Sequence, residues 1–486
     1  MRDFISEIRK IPTSRVLLTL SEISIDMFRK MECRKDIDVE VVKNGVVRTG
    51  KVALLGWDIQ NIAFLSVKHS NDYRDSNSST SVSEVINLYR KYDNVHSAAE
   101  QLRESDIDGV FRIIMGMSSE QFLFQQLGII FEKFNRDYYI LMAADHFEHH
   151  SKLDMNAIVE DTFGYSADDY VAVLMMVFWL CNQSPIPLRA MERFSLEKES
   201  HLISVENLTK FIDYYSCTYK ELRESKLGKQ LLYSKPFIKT QRTGSYITSN
   251  MFLVAYTIGN GLYWLVRDHY FNLKSQHFIN TFGLLFEDYI KDLAQRYCEE
   301  TEWLQLSQGK KKGADFIINF GDLILLIESK SGLLPLGVKQ QVPNVEQADL
   351  FFTRTIQEAY EQLQSSYDQI SKDSNHTIIK VILLYDDFSN TGIIEKSITG
   401  IFDNDPNCFI MTIRDLEMFL YLHKYDPIKR MAICDRIIDQ LKHGKNRESI
   451  GGIYESLDIT GNPHLSGEMD YFQKLLKHFE KKLKSI

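Results

Sequence analysis

Residues 313–330 read GADFIINFGDLILLIESK, and the architecture of the C-terminal part of the chain follows from them. Two apolar runs flank Gly321-Asp322, a dipeptide suited to a two-residue turn between antiparallel strands. With Phe320 opposite Leu323, every opposed pair sums to the same number, and that register sets Asp315 directly opposite Glu328. Side chains alternate along a strand, so Lys330 projects on the face of Glu328 while Ile327 and Ser329 point the other way. A strand made mostly of Ile and Leu is expected to be central and covered on both faces, where two carboxylates and an ammonium are costly. A small hard cation offsets that cost, because Mg²⁺ is commonly held by one or two carboxylates together with waters and phosphate oxygens.

The pattern around this hairpin predicts an α/β domain. A helix over His277–Cys298 precedes it. A long helix from about Asn344 to Ile370, strands Ile378–Tyr385 and Cys408–Thr412, and further helices follow. Upstream, from about Ser83 to Asp213, apolar residues recur at three and four positions, as in Phe122, Leu123, Leu127, Ile130, Phe131 and Phe134, which predicts a nearly all-helical region. Residues 37–68 carry Val- and Ile-rich runs around Asn44-Gly45, a hairpin signal, and Ser70–Ser81 (SNDYRDSNSSTS) reads as an exposed loop. The expected organisation is a small region with a β hairpin at 1–82 and a helical domain at 83–270 with a sensor or specificity role. An α/β domain with a central mixed sheet follows at 271–425, with C-terminal helices packed on it at 426–486.

Composition bounds the function. Among 486 residues, 44% are hydrophobic and 25% charged, with 24 Gly and only 9 Pro, the profile of a helix-rich globular chain. A formal net charge of -9 means that any nucleic acid must be held by a local patch rather than by a globally basic surface. Lys310, Lys311 and Lys312, just before Asp315, form such a patch. The six cysteines contain no CxxC pair, which argues against a zinc ribbon or a disulfide framework and for a reducing cytoplasm. The N-terminus lacks the apolar core of a secretory signal. The run Tyr170–Cys181 is too short to span a bilayer, and Gly259, Asn260 and Gly261 interrupt Met251–Val266, so no membrane role is expected. No GxxxxGK, GxSxG or GxGxxG occurs, which leaves ATPase, α/β-hydrolase and dinucleotide readings without support. His146 and His149 in DHFEHH lack HExxH spacing and read as a solvated helix end, and the C-terminal KLLKHFEKKLKSI reads as an amphipathic basic helix.

The Asp315 … Glu328-x-Lys330 pattern on paired strands resembles the PD-(D/E)xK nuclease superfamily, over roughly residues 276–425. Ala314 stands where that family usually has proline. The resemblance implies a restriction-endonuclease-like fold and hydrolysis of phosphodiesters, most often in DNA. It implies Mg²⁺, with Mn²⁺ as a substitute, held by Asp315, Glu328 and the backbone carbonyl of Ser329, with Lys330 orienting the attacking water. A helix before the hairpin often supplies another acid, here Glu287, and a helix after it a glutamine, here Gln362. Fold-level analogy points to restriction or anti-phage defence, with a homodimer or a partner protein in such a system. An idle nuclease fold serving as a nucleic-acid-binding or assembly module, and an RNA-directed toxin, are the alternatives.

Overall fold

Five strands form the sheet expected around residue 313, in the spatial order β10-β9-β8-β7-β6. They are β6 (Trp303–Gln305), β7 (Phe316–Asn319), β8 (Leu323–Lys330), β9 (Thr377–Leu384) and β10 (Cys408–Thr412). Strand β7 runs antiparallel to its neighbours β6 and β8, and β8, β9 and β10 are parallel. The computed structural model describes residues 2–43, 46–74, 80–95, 107–143, 147, 153–191, 204–306, 313–339, 344–373, 376–388, 391–396, 398–402, 404–443, 448–467 and 469–484. Within them the chain is mixed α/β and 65% helical, as the scarcity of Gly and Pro leads one to expect.

The β7–β8 register follows the sequence reading, with Phe316 opposite Ile327 and Asn319 opposite Ile324, and Gly321 takes a left-handed φ of 86° in the turn. The ladder stops one residue short of the expected Asp315–Glu328 pair, because the Asp315 N–H donates to Ile327 O at 2.8 Å. β8 is the central strand and is covered on both sides. Phe316, Ile318, Leu325 and Ile327 join one apolar cluster with Val381, Met411 and the preceding helices. Ile324, Leu326, Ile382 and Ile410 join a second with Ile356, Ala359 and Leu363 from the helix that follows. That helix is continuous from Val345 to Ile370 except that Phe352–Gln357 adopts the wider π form.

The first apolar cluster is not confined to the sheet and reaches from Phe4 to Phe472. Helix α1 (Leu127–Met142) and helix α3 (Met251–Asn272) cross so closely that a Cβ at Gly259 would lie 2.6 Å from the Ile130 carbonyl oxygen. The Gly259-Asn260-Gly261 interruption is therefore a packing device inside one helix. Helix α4 (His277–Tyr297) leads into the sheet, and α6 (Ile413–Tyr425) follows β10; α5 (Glu358–Ile370) lies between them in the chain. The last helix, α7 (Tyr471–Lys484), was expected on the α/β domain. It lies instead on the helical half, with Phe472 ring centroids 4.4 Å from Phe131 and 5.3 Å from Phe178 of α2 (Ala167–Gln183). The apolar face of α7 is thus committed to aromatic packing.

Within this shared apolar core a buried ionic network also joins the halves. Arg136 of α1 makes a two-pronged pair with Glu417 of α6 at 2.7 and 2.9 Å, both side chains fully buried. Tyr289 OH and Asn462 Nδ2 also donate to Glu417, each at 2.6 Å, so all of its charge is answered.

Near the N-terminus, β1 (Arg34–Lys43) and β2 (Val46–Leu55) pair antiparallel from Lys43–Val46 outward, and Asn44 and Gly45 lie outside the described residues. The stretch read as an exposed loop, of which residues 75–79 lie outside the described residues, is anchored at its described ends: Ser70, Asp72 and Thr80 are buried, and Asp72 accepts from Ser14 N, Tyr219 OH and Gln241 N. A third sheet, β3 (Ser216–Thr218), β4 (Phe237–Lys239) and β5 (Tyr246–Thr248), has strands of three residues, too short for a periodic signal.

Candidate active site

At the C-terminal end of β8 the side chains of Glu328 and Lys330 share a face, as strand alternation requires, and Lys330 Nζ donates to Glu328 Oε1 at 2.7 Å. The same ammonium donates to Gln362 Oε1 at 2.9 Å, so α5 brings its glutamine to the site. Glu328 is 3% exposed and its second oxygen, Oε2, is buried with no hydrogen-bond donor among the described residues. An orphaned carboxylate oxygen is the donor type a hard cation takes.

Asp315 is 4% exposed. Its Oδ2 accepts from the Ser329 backbone N–H at 2.8 Å and from Ser329 Oγ at 2.7 Å. Because the ladder has ended, the aspartate side chain replaces the backbone acceptor that Ser329 would otherwise meet. The segment before it is pinned by Ala314 N–H donating to Ser366 Oγ at 2.9 Å. Asp315 is thus held against the end of β8, turned toward Ser329 rather than squarely at Glu328 as the ideal register implied.

These charges act on one another. Burial pushes the Glu328 carboxyl up to about 7, and the neighbouring Asp315 charge adds to it; Lys330 pulls the other way, and Glu287 contributes a smaller push upward. Glu287 sits half-buried on α4, near enough for its charge to be felt at Glu328. Among the described residues, the three-member group of His, Cys, Asp or Glu whose ligand atoms all lie within 4.8 Å of one another is Cys298, Glu302 and His423. Glu287, Asp315 and Glu328 are more widely spaced than that. Two carboxylates with one orphaned oxygen fit a hydrated Mg²⁺ better than a cation that needs a closed protein cage.

The structure therefore brings together Asp315, Glu328, Ser329, Lys330 and Gln362, with Glu287 within electrostatic reach. Lys310, Lys311 and Lys312 lie outside the described residues, as do His146 and His149. Sequence reasoning missed the Ser329 side chain, because alternation puts it on the opposite face, and Ser366, which no spacing rule marks. No family model, curated protein or solved structure matches the chain.

Proposed function

We propose that the chain is a metal-dependent nuclease that hydrolyses phosphodiester bonds, with DNA as its substrate. The observation that carries the reading is the convergence at one strand end of Asp315, Glu328, Lys330 and Gln362, with Glu328 Oε2 buried and unanswered among the described residues. A buried acid and ammonium of this kind weaken a strand and are retained where they do chemistry.

In this reading Asp315, Glu328 and the Ser329 carbonyl would hold Mg²⁺, with Mn²⁺ as a substitute, and Glu287 would hold a water for it. Such an ion, when bound, polarises the scissile phosphate and lowers the pKa of a water molecule. Lys330 orients that water and offsets negative charge developing on the phosphate. Gln362, by accepting from Lys330, fixes where the ammonium points. The helical half would select or sense the substrate, in keeping with a role in restriction or defence, and a homodimer would supply two sites for double-strand cutting.

A second reading, a nuclease fold kept as an idle binding or assembly module, is favoured by one observation: Asp315 Oδ2 is already engaged by Ser329. Incubation of pure protein with plasmid, single-stranded DNA and RNA, in Mg²⁺ or in EDTA, separates the readings. Metal-dependent cleavage of DNA supports the proposal, RNA-only cleavage makes it a toxin-type ribonuclease, and no cleavage with any divalent metal leaves the idle module.

A further inference from the structure

At the far end of the β7–β8 hairpin, beside the Gly321 turn, three side chains from three separate elements converge. Cys298 caps the C-terminus of α4, Glu302 stands in the turn before β6, and His423 lies in the last turn of α6. One ligand atom from each lies within 4.8 Å of the other two. His423 Nε2 and Glu302 Oε2 are 2.9 Å apart, and the Glu299 N–H also donates to Glu302 Oε2 at 2.8 Å. The imidazole is set edge-on to Phe320, with ring centroids 4.9 Å apart at 70°.

We infer that Cys298, Glu302 and His423 form a zinc site, separate from the acidic cluster at the other end of β8. A thiolate, an imidazole and a carboxylate are a donor set that suits Zn²⁺ and not Mg²⁺, which avoids sulfur. Tetrahedral zinc with three protein ligands keeps its fourth position for water. Charge balances: one thiolate and one carboxylate neutralise the dication, and the cysteine thiol releases its proton to solvent on binding.

Two further observations favour a cation here. The C-terminal ends of α4 and α6 both meet at the cluster, and a helix C-terminus carries partial negative charge on its last carbonyls. One of these carbonyls, Arg296 O, is capped by Lys424 Nζ at 2.7 Å. His423 Nδ1 is buried and has no hydrogen-bond partner among the described residues, so one ring nitrogen is left for a ligand. Zinc would tie the segment before the short edge strand β6 to both helices at the turn end of the hairpin. The cluster has no compact motif: Glu302 and His423 are 121 residues apart.

The test is metal content of the full chain loaded with Zn²⁺ and dialysed, measured by elemental analysis, beside the absorption spectrum of the Co²⁺-loaded chain. The expected result is one zinc per chain and a thiolate-to-cobalt charge-transfer band, with both lost in Cys298→Ser and in His423→Gln. Circular dichroism establishes that the variants are folded, and the cobalt spectrum of the unmutated chain tests thiolate ligation without any variant. Glu328→Gln is expected to keep its zinc, so loss of nuclease activity and loss of the zinc site are read independently. An unmutated chain that retains no zinc, a cobalt spectrum without the thiolate band, or zinc retained in both variants overturns the inference.

Discussion

Replacing Glu328 with glutamine should stabilise the metal-free protein, and only at high pH. Glu328 has 3% of its surface exposed, and its carboxyl is pushed up to about 7 from the ordinary 4.5 by burial first and by the Asp315 charge second. In the window between those values the folded chain keeps a proton that the unfolded chain has released. Stability therefore falls as pH rises through the window, and the full penalty is carried above about 7. A displacement of about 2.5 at about 1.36 kcal/mol each makes the penalty about 3 kcal/mol. Glu328→Gln removes the titration but keeps a group able to accept from Lys330. Urea unfolding of both proteins in EDTA, at about pH 4 and about pH 8, should show the variant's relative stability rising by about 3 kcal/mol between the two. Mg²⁺ at the higher pH should close much of that gap by stabilising the ionised wild-type carboxylate. A stability difference that is the same at both pH values within about 0.5 kcal/mol would refute the argument from burial.

His464 titrates with the opposite sign. Burial holds its imidazole down to about 4 from 6.5, so its contribution is complete above 6.5 and is lost as pH falls toward 4, and His464→Gln should flatten acid unfolding in that window. Because the two windows overlap, wild-type pH curves alone mix the two effects, and only the variant differences separate them. Glu417→Ala leaves the buried Arg136 with only its longer contact to Asp387, Nη1 to Oδ2 at 3.3 Å, and should cost about 3 kcal/mol by urea unfolding; a loss under about 1 kcal/mol would mean that Asp387 alone satisfies the arginine. Gly259→Ala forces a methyl against the Ile130 backbone and should cost about 1–3 kcal/mol, read as a lowered Tm, with an unchanged Tm arguing against the tight α1–α3 crossing. Ser329→Ala should weaken the hold on Asp315 by about 1 kcal/mol and reduce cleavage more than it reduces stability.

Much of the sheet was legible because its signals are local. The apolar runs around Gly321-Asp322 set both strands and their register, and alternation then placed Glu328 and Lys330 on one face. The end of the ladder was not legible: whether Asp315 continues the pairing depends on competition between Ile327 O and the next carbonyl for its N–H, and the sequence carries no sign of that. Gln362 came from a family pattern, and its position against Lys330 depends on the helix crossing β8 at one particular height. The destination of the final helix was hidden for a related reason. Its amphipathic pattern shows that a face is buried but not that Phe472 meets Phe131 and Phe178. The Arg136–Glu417 pair joins residues 281 apart, a distance over which charge patterning says nothing.

The most direct test of the nuclease reading is cleavage of plasmid DNA in Mg²⁺ by the unmutated chain and by Lys330→Ala, with folding of each checked by circular dichroism. In that reading Lys330 stabilises developing phosphate charge, so its removal should lower the rate by about 10²–10³ while leaving the fold intact. A folded Lys330→Ala protein that cuts as fast as the unmutated chain would contradict the assignment of this site.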